Sequence, residues 1–462
     1  MIDQKRKNMK IRHTSILALL TIVFANCSSE PEMQTALING KITVADSVDS
    51  SKDYSGIQLL ITHREDVDSE VDTLFLEQSN RLGNITGKVE FPFQGIYPVY
   101  ISRNGNVIGS TQFILADNDT INFSGELPGL SENFEVDSRE NRAMEVYNRV
   151  DKGFRRVLAY INAGAVADTL IEDELRKWSD LFWEVYENYP GTFASNMAGG
   201  ESVRLLNTFD QNLMMQRIND ALPSDEMIGV AAKYGFEYKA ETQGVEGAVS
   251  YLDSLQDLTK NPKIKRALDQ ERIAFYFDSA RVDIAKDLLA EFEKEYDDDP
   301  KAQQWAKTIG YDLSYLAPGY RVPEFSFETD EGEIIAPDSL VGKPYILEIT
   351  PVASRLYQNQ YDRTVVIHQI YQNYDLEVFT IPLDKSEVTV QAFFDERVKH
   401  WSVAKFGGFD VQKLIETFNV TQVPTRILID QQGNIVRKYV AEDFTDVIQG
   451  LNTIIKQNQK GS

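Results

Sequence analysis

Along residues 36–124 apolar and polar positions alternate in short runs: 36–44 (ALINGKITV), 57–63, 71–76, 88–93, 97–103, 109–115 and 120–124. A period of two marks half-buried strands. Turn signals punctuate the runs at Asn39-Gly40, Leu82-Gly83-Asn84, Asn104-Gly105-Asn106 and Ala116-Asp117-Asn118-Asp119. Short strands at this spacing predict an all-β domain over 36–130, an antiparallel sandwich or small barrel. From residue 131 the period changes. Runs at 142–161, 169–189, 192–215, 245–255, 261–276, 282–296 and 300–315 carry apolar residues three and four apart, which predicts a helical domain over 131–318. No fixed repeat length runs through it, so a bundle is expected, with Trp178, Phe182, Trp183 and Tyr186 in its core. A Pro/Gly-containing segment, 316–323 (LAPGYRVP), marks the next boundary.

Beyond it the pattern mixes both periods. A hairpin is expected around Thr329-Asp330-Glu331-Gly332. It is followed by a buried strand 345–349, a helix 355–374, a strand 376–382 and a helix 411–418. Strands 425–430 and 434–439 and a helix 444–456 complete the chain. Strand–helix–strand followed by strand–strand–helix predicts an α/β domain over 319–460.

Two motifs in this domain are specific. Leu340 to Ile349 (LVGKPYILEI) resembles the L-x-G-K-x-x-x-L-x-F strand of the TlpA/ResA-type thioredoxins, within the redoxin superfamily. Phe418 to Ile435 (FNVTQVPTRILIDQQGNI) resembles that family's Y-x-V-x-x-x-P-T-x-x-L-I-D-x-x-G-x-I. The resemblance covers residues 320–458 and implies a thioredoxin-like fold. It implies a cis-proline at Pro424 and, at Val423, a backbone edge open to an extended peptide. It also implies thiol-disulfide exchange through a W-C-x-x-C loop after Ile349. The chain instead has Thr350-Pro351-Val352-Ala353-Ser354-Arg355-Leu356-Tyr357. Ser354 stands at the attacking cysteine and Tyr357 at the resolving one. Exchange needs a thiolate and a second thiol, and neither hydroxyl replaces them. Glu348 falls at the family's buried carboxylate, which handles a proton of the second thiol. Without that thiol the residues leave three roles open for it: a relic, a paired core acid, or a new polar site.

A Ser354 nucleophile would need a base. His368 is fourteen residues further on, about 20 Å along a helix. The position of Ser354 before a helical run fits an N-cap instead. No residue is expected to be catalytic.

Composition narrows the function further. The formal charge is −24, which repels phosphate backbones and argues against a nucleic-acid partner. Four histidines and one cysteine make a His/Cys metal site hard to build and an internal disulfide impossible. No metal or other cofactor is expected.

The one cysteine has a distinctive setting. Lys5, Arg6, Lys7, Lys10 and Arg12 precede a ten-residue apolar run, 16–25, too short to span a bilayer. Phe24-Ala25-Asn26-Cys27 follows and resembles a bacterial lipobox, with Phe24 and Asn26 departing from its common pattern. A signal peptide over 1–26, acylation of Cys27, and an acidic tether over 27–35 are the expectation. The β-domain order, with an I-x-G-K-I opening strand, resembles a domain that precedes thioredoxin-like domains in Bacteroidetes lipoproteins. The expected protein is a multidomain lipoprotein of the cell envelope, held to the outer membrane by its lipid on the periplasmic or surface face. Its thioredoxin-like domain is expected to be redox-inactive and to bind or assemble a protein or peptide. Two alternatives stay open: a residual thiol-disulfide oxidoreductase, and a surface protein that binds nutrients or glycans.

Overall fold

The computed structural model describes residues 33–64, 70–222 and 224–461. Cys27 and the expected signal peptide lie outside the described residues. The chain divides after Leu268 into two compact units, Met1–Leu268 and Asp269–Ser462.

The first unit opens with β1 (Gln34–Val44), β2 (Ile57–His63), β3 (Asp72–Gln78), β4 (Asn84–Phe91), β5 (Gly95–Arg103), β6 (Asn106–Leu115) and β7 (Thr120–Leu127). A short α1 (Leu130–Asn133) and β8 (Glu135–Asp137) follow. They form two four-stranded sheets, in orders β4-β1-β7-β8 and β3-β2-β5-β6. Inward residues of both sheets share one core, including Ile38 and Ile42 of β1, Val89, Tyr97, Val99, Phe113 and Phe123. This is the sandwich the alternation predicts, with one difference: β1 and β7 pair in parallel. Asn104-Gly105 makes the expected two-residue hairpin turn, both residues at positive φ. Asn39-Gly40 does not turn. It lies inside β1, and a Cβ on Gly40 would stand 2.2 Å from the Phe123 ring. This glycine makes room for an aromatic side chain from the neighbouring strand.

Helices α2 (Arg139–Asn162), α3 (Asp168–Asn188), α4 (Phe193–Leu206), α5 (Gln211–Ala221), α6 (Asp225–Val230) and α7 (Phe236–Leu258) complete the unit. The expected helix 192–215 is two helices, because Asp210 accepts a hydrogen bond from the Leu213 N–H at 3.0 Å and starts a new one. Gly244, at φ 72° and ψ −166°, is not helical, so α7 is two helical stretches joined at a kink; the second begins at the expected residue 245 and the first, 236–243, was not expected. Of the four aromatics expected in the core, Phe182 is fully buried. Trp183 is half-buried and lies under the Arg217 guanidinium.

Helix α8 (Pro262–Asp278) crosses the boundary between the units, and α9 (Val282–Glu295) and α10 (Pro300–Tyr315) belong to the second. The sequence places the boundary at 318/319. The reason for the difference is a buried contact: Lys438 donates to both carboxylate oxygens of Asp312 on α10, at 2.9 and 2.8 Å. The Asn419 side chain reaches the same carboxylate.

The rest of the unit holds a hairpin of β9 (Phe327–Glu328) and β10 (Ile334–Ile335), then β11 (Tyr345–Thr350), α11 (Arg355–Tyr371) and β12 (Glu377–Pro382). Then come α12 (Glu387–Asp395), β13 (Ser402–Val403), α13 (Val411–Thr417), β14 (Thr425–Ile429), β15 (Ile435–Val440) and α14 (Val447–Gly461). The sheet order is β13-β12-β11-β14-β15, with β11, β12 and β13 parallel and β14 and β15 antiparallel to their neighbours. This is the thioredoxin arrangement. Helix α12 and strand β13 were not expected. Tyr345, Leu347 and Ile349 face one core, while Ile346 faces the other together with residues of α11 and α14. Glu348, by the same alternation, points to the α11 side.

Candidate functional site

The site is built where β11 ends and α11 begins. Ser354 is the N-cap of α11, with extended φ/ψ, and its hydroxyl accepts from the Tyr357 N–H at 3.5 Å. The loop before it is tied to the next strand's end. Asp384 accepts the Val352 N–H at 2.7 Å and the Ala353 N–H at 3.2 Å. A carboxylate thus occupies the backbone donors ahead of the helix, where a positive field would otherwise favour an anion. Thr425 pairs with Ile349, so Pro424 sits at the register of Thr350, at the end of β11 from which the loop leaves. The Val423–Pro424 bond is cis. Val423 is half-buried, lies outside the strands, and its backbone makes no hydrogen bond among the described residues.

Beneath the loop is a buried polar cluster. Glu348 is completely buried and pairs in register with Thr380 on β12 and Arg426 on β14, so the three side chains form one row across the sheet. The Arg426 Nε donates to Glu348 Oε1 at 2.6 Å, and the Thr364 hydroxyl to the same oxygen at 3.3 Å. Oε2 accepts from the Thr380 hydroxyl at 2.9 Å and from the Tyr357 hydroxyl at 3.2 Å. Four donors therefore meet a carboxylate that offers about four lone-pair sites. The Trp401 indole N–H donates to Thr380 at 2.8 Å, and Arg426 Nη1 to Gln360 at 2.7 Å. The guanidinium lies 4.0 Å from the Phe444 ring centroid and 5.6 Å from that of Tyr357.

Burial, and then the negative charge of Glu348, push the Tyr357 hydroxyl well above its usual range. It stays protonated and acts as a donor. The carboxylate of the pair is fully engaged, while Arg426 Nη2 is buried without a hydrogen-bond partner; nothing in the cluster offers an unsatisfied nucleophile.

The structure brings Glu348 and Tyr357 into direct contact, joins Ser354 to Tyr357 through the backbone, and sets Pro424 at the same end of the sheet. His368 is not at Ser354. It packs against Trp401 with ring centroids 5.7 Å apart, and burial pulls its pKa down. Of the three roles left open for Glu348, the geometry is that of a paired core acid. The sequence reading missed Arg426, Asp384, Thr380 and Trp401. A signal for the first was present: one acid in YILEI and one base in TRILI, each alone in an apolar strand. A charge in such a strand needs a partner. Among the described residues no cluster of three His, Cys, Asp or Glu could hold a metal, and no helix is long and apolar enough to cross a membrane.

No family model matches the chain. A thiol-disulfide oxidoreductase ResA of Bacillus thuringiensis is 24% identical over 139 residues, covering 30% of this chain and 79% of the relative. One from Halalkalibacterium halodurans is 23% identical over 145 residues, 31% of this chain and 81% of its own. Solved structures that are similar include a putative thiol:disulfide interchange protein DsbE from Chlorobium tepidum. It is 18% identical with a TM-score of 0.27, over 30% of this chain and 96% of that one. A putative protein disulfide isomerase from Bacteroides thetaiotaomicron is 20% identical with a TM-score of 0.27, over 31% and 93%. About a third of this chain is thus homologous to thioredoxin-like thiol-disulfide oxidoreductases.

Proposed function

We propose that the thioredoxin-like part of this chain has given up dithiol chemistry and serves as a binding or assembly module. In this reading Ser354 and Tyr357 occupy the two thiol positions. The observation that carries it is the Tyr357 hydroxyl on Glu348: the carboxylate's lone pairs are filled by Tyr357, Thr364, Thr380 and Arg426. A proton-handling carboxylate needs a thiol beside it, and this one has a phenol that stays protonated. The binding face is the free backbone of Val423 beside Pro424, which offers a donor and an acceptor to an extended peptide. The chain is anchored through acylated Cys27 at the outer membrane of the cell envelope.

The test uses the full chain carrying Cys27→Ser, which contains no cysteine. It is expected to reduce no insulin disulfide in any glutathione buffer. A photo-crosslinking residue at Val423 is expected to capture a polypeptide in the native cell. The same residue at Val388, which is 71% exposed on α12, is expected to capture none. Insulin reduction by the cysteine-free chain would overturn the redox-inactive reading, and equal labelling at both positions would overturn the binding face. Anchoring is read separately, as an acyl mass on the N-terminal peptide beginning at Cys27.

A further inference from the structure

Strand edges expose unpaired backbone groups, and folded proteins blunt them with charge, proline, bulges or shortness. Among the described strands of the β-sandwich, three of the four edges follow the rule. Strand β8 has three residues, β4 carries Lys88 and Glu90, and β3 carries Asp72 and Glu77. Strand β6 follows it only at its start, where a bulge at Ile108 shifts the pairing from Ile101–Gly109 to Ser102–Val107. From Gly109 to Leu115 it has no charged residue, no proline and no bulge, and it pairs only with β5.

Its open side can be assigned residue by residue. The Ile114 N–H donates to the Asn141 side chain at 3.3 Å, and the Ile114 carbonyl accepts from the same amide at 3.4 Å. Both backbone groups of Ile114 therefore point away from β5. In an antiparallel ladder this alternates every second residue, so Gln112 and Ser110 also point outward. Pro98, opposite Gln112, has no N–H to give and agrees with that phase. Gln112 and Ser110 are exposed, and outside the β5–β6 ladder their backbone groups make no hydrogen bond among the described residues. An open cleft of about 860 Å3 is lined by β6 and α2 and extends over the outer face of β5, where Ile96, Pro98 and Tyr100 border it. Met144 and Met197 line it, with Val136 and Ile96, and Asn148 stands at its wall. Unbranched thioethers adapt to varied side chains.

We propose that this cleft binds an extended polypeptide segment, which adds to β6 as a further strand. A row of outward N–H and C=O groups repeating every two residues, about 6.8 Å, is complementary to another extended backbone. The Asn141 amide is already placed as a one-residue imitation of that partner at Ile114. The segment continues the pairing at Gln112 and Ser110 and carries apolar residues at alternate positions, which meet Met144 and Met197. The site lies wholly in the first unit and does not depend on the reading of the thioredoxin-like part.

The probe is fluorescently labelled α-lactalbumin, reduced and carboxymethylated so that it stays unfolded, added to the full chain carrying Cys27→Ser. Saturable binding is expected. On binding, the Ser110 and Gln112 amides change from fast to slow hydrogen exchange. Gln112→Pro removes an outward N–H that makes no bond within the fold, and edge strands tolerate proline. It is expected to weaken binding at least tenfold. Asn148→Trp, an exposed change on α2, fills the cleft from the opposite wall and is expected to do the same. Binding that leaves the two amides unprotected, or that survives both variants, would overturn the proposal. So would no binding, or protection of β6 by a second copy of the chain in the absence of probe.

Discussion

Removing Arg426 is the sharpest test of the buried cluster. Arg426 and Glu348 have side-chain exposures of 1% and 0%, so water screens neither charge. In Arg426→Met the apolar stem is kept and only the cation is lost. Glu348 would then hold a negative charge in the core with three hydroxyl donors and no counter-ion. Breaking one side of such a pair costs about 3–5 kcal/mol, or roughly 6–20 °C in the melting temperature of a unit of this size. Glu348→Leu with Arg426→Met removes both charges together. The Thr364, Thr380 and Tyr357 hydroxyls then lose an acceptor, so the double variant is not neutral. It should still be less destabilised than the sum of the two singles by about 2 kcal/mol or more. Urea denaturation of the four proteins gives this coupling directly. Additivity within about 0.5 kcal/mol would refute the idea that the two residues act as one unit.

Three further outcomes are expected. Ser354→Cys with Tyr357→Cys should destabilise the second unit by about 3–5 kcal/mol, as for truncating a buried aromatic. The thiol introduced in place of the Ser354 hydroxyl should show no strongly lowered pKa in a thiolate absorbance titration, because Asp384 opposes the thiolate; a pKa well below 7 would refute this. In the first unit, burial raises the pKa of Glu140 above 4.5, against the opposing hydrogen bonds from Phe193 and Gln94. The folded state then binds its proton more tightly, so the contribution is present below 4.5 and lost as pH rises through the raised value; thermal melts of Glu140→Gln should lack this dependence, and parallel profiles would refute it. Lys438→Met should strand Asp312, cost about 3–5 kcal/mol, and speed hydrogen exchange in α10 more than in β11; equal effects on the two would show that Lys438 does not hold α10.

The parts of the fold that were legible in the sequence are those whose signal is local. Alternation in residues 36–44 and 97–103 follows from one buried face, and Asn104-Gly105 from the two positive φ angles its turn requires. What was not legible depends on partners far along the chain. Asn39-Gly40 carries the composition of a turn, yet its glycine serves Phe123, more than eighty residues on. Helices α9 and α10 look like any bundle segment until Lys438 finds Asp312. At the site, Ser354 as an N-cap was readable from its position before the helical run. The partner of Glu348 was not, because its counter-ion lies 78 residues away in sequence, on a strand that only the fold sets beside its own.

The cluster also shows what a buried carboxylate requires. A carboxylate alone in a core would be an uncompensated charge. Glu348 is instead met by the Arg426 guanidinium on the adjacent strand and by the hydroxyls of Tyr357, Thr364 and Thr380, with the Trp401 indole on Thr380. Saturating the acid fixes β11, β12, β14 and α11 against one another by directional bonds, which an apolar core of equal stability would do less uniquely. What remains chemically available lies above the cluster, in the backbone of Val423, and recognition by a backbone edge asks nothing of a thiol. In the proposed reading, with Ser354 and Tyr357 at the two thiol positions, dithiol exchange is absent while the edge on which the proposed peptide recognition depends is kept.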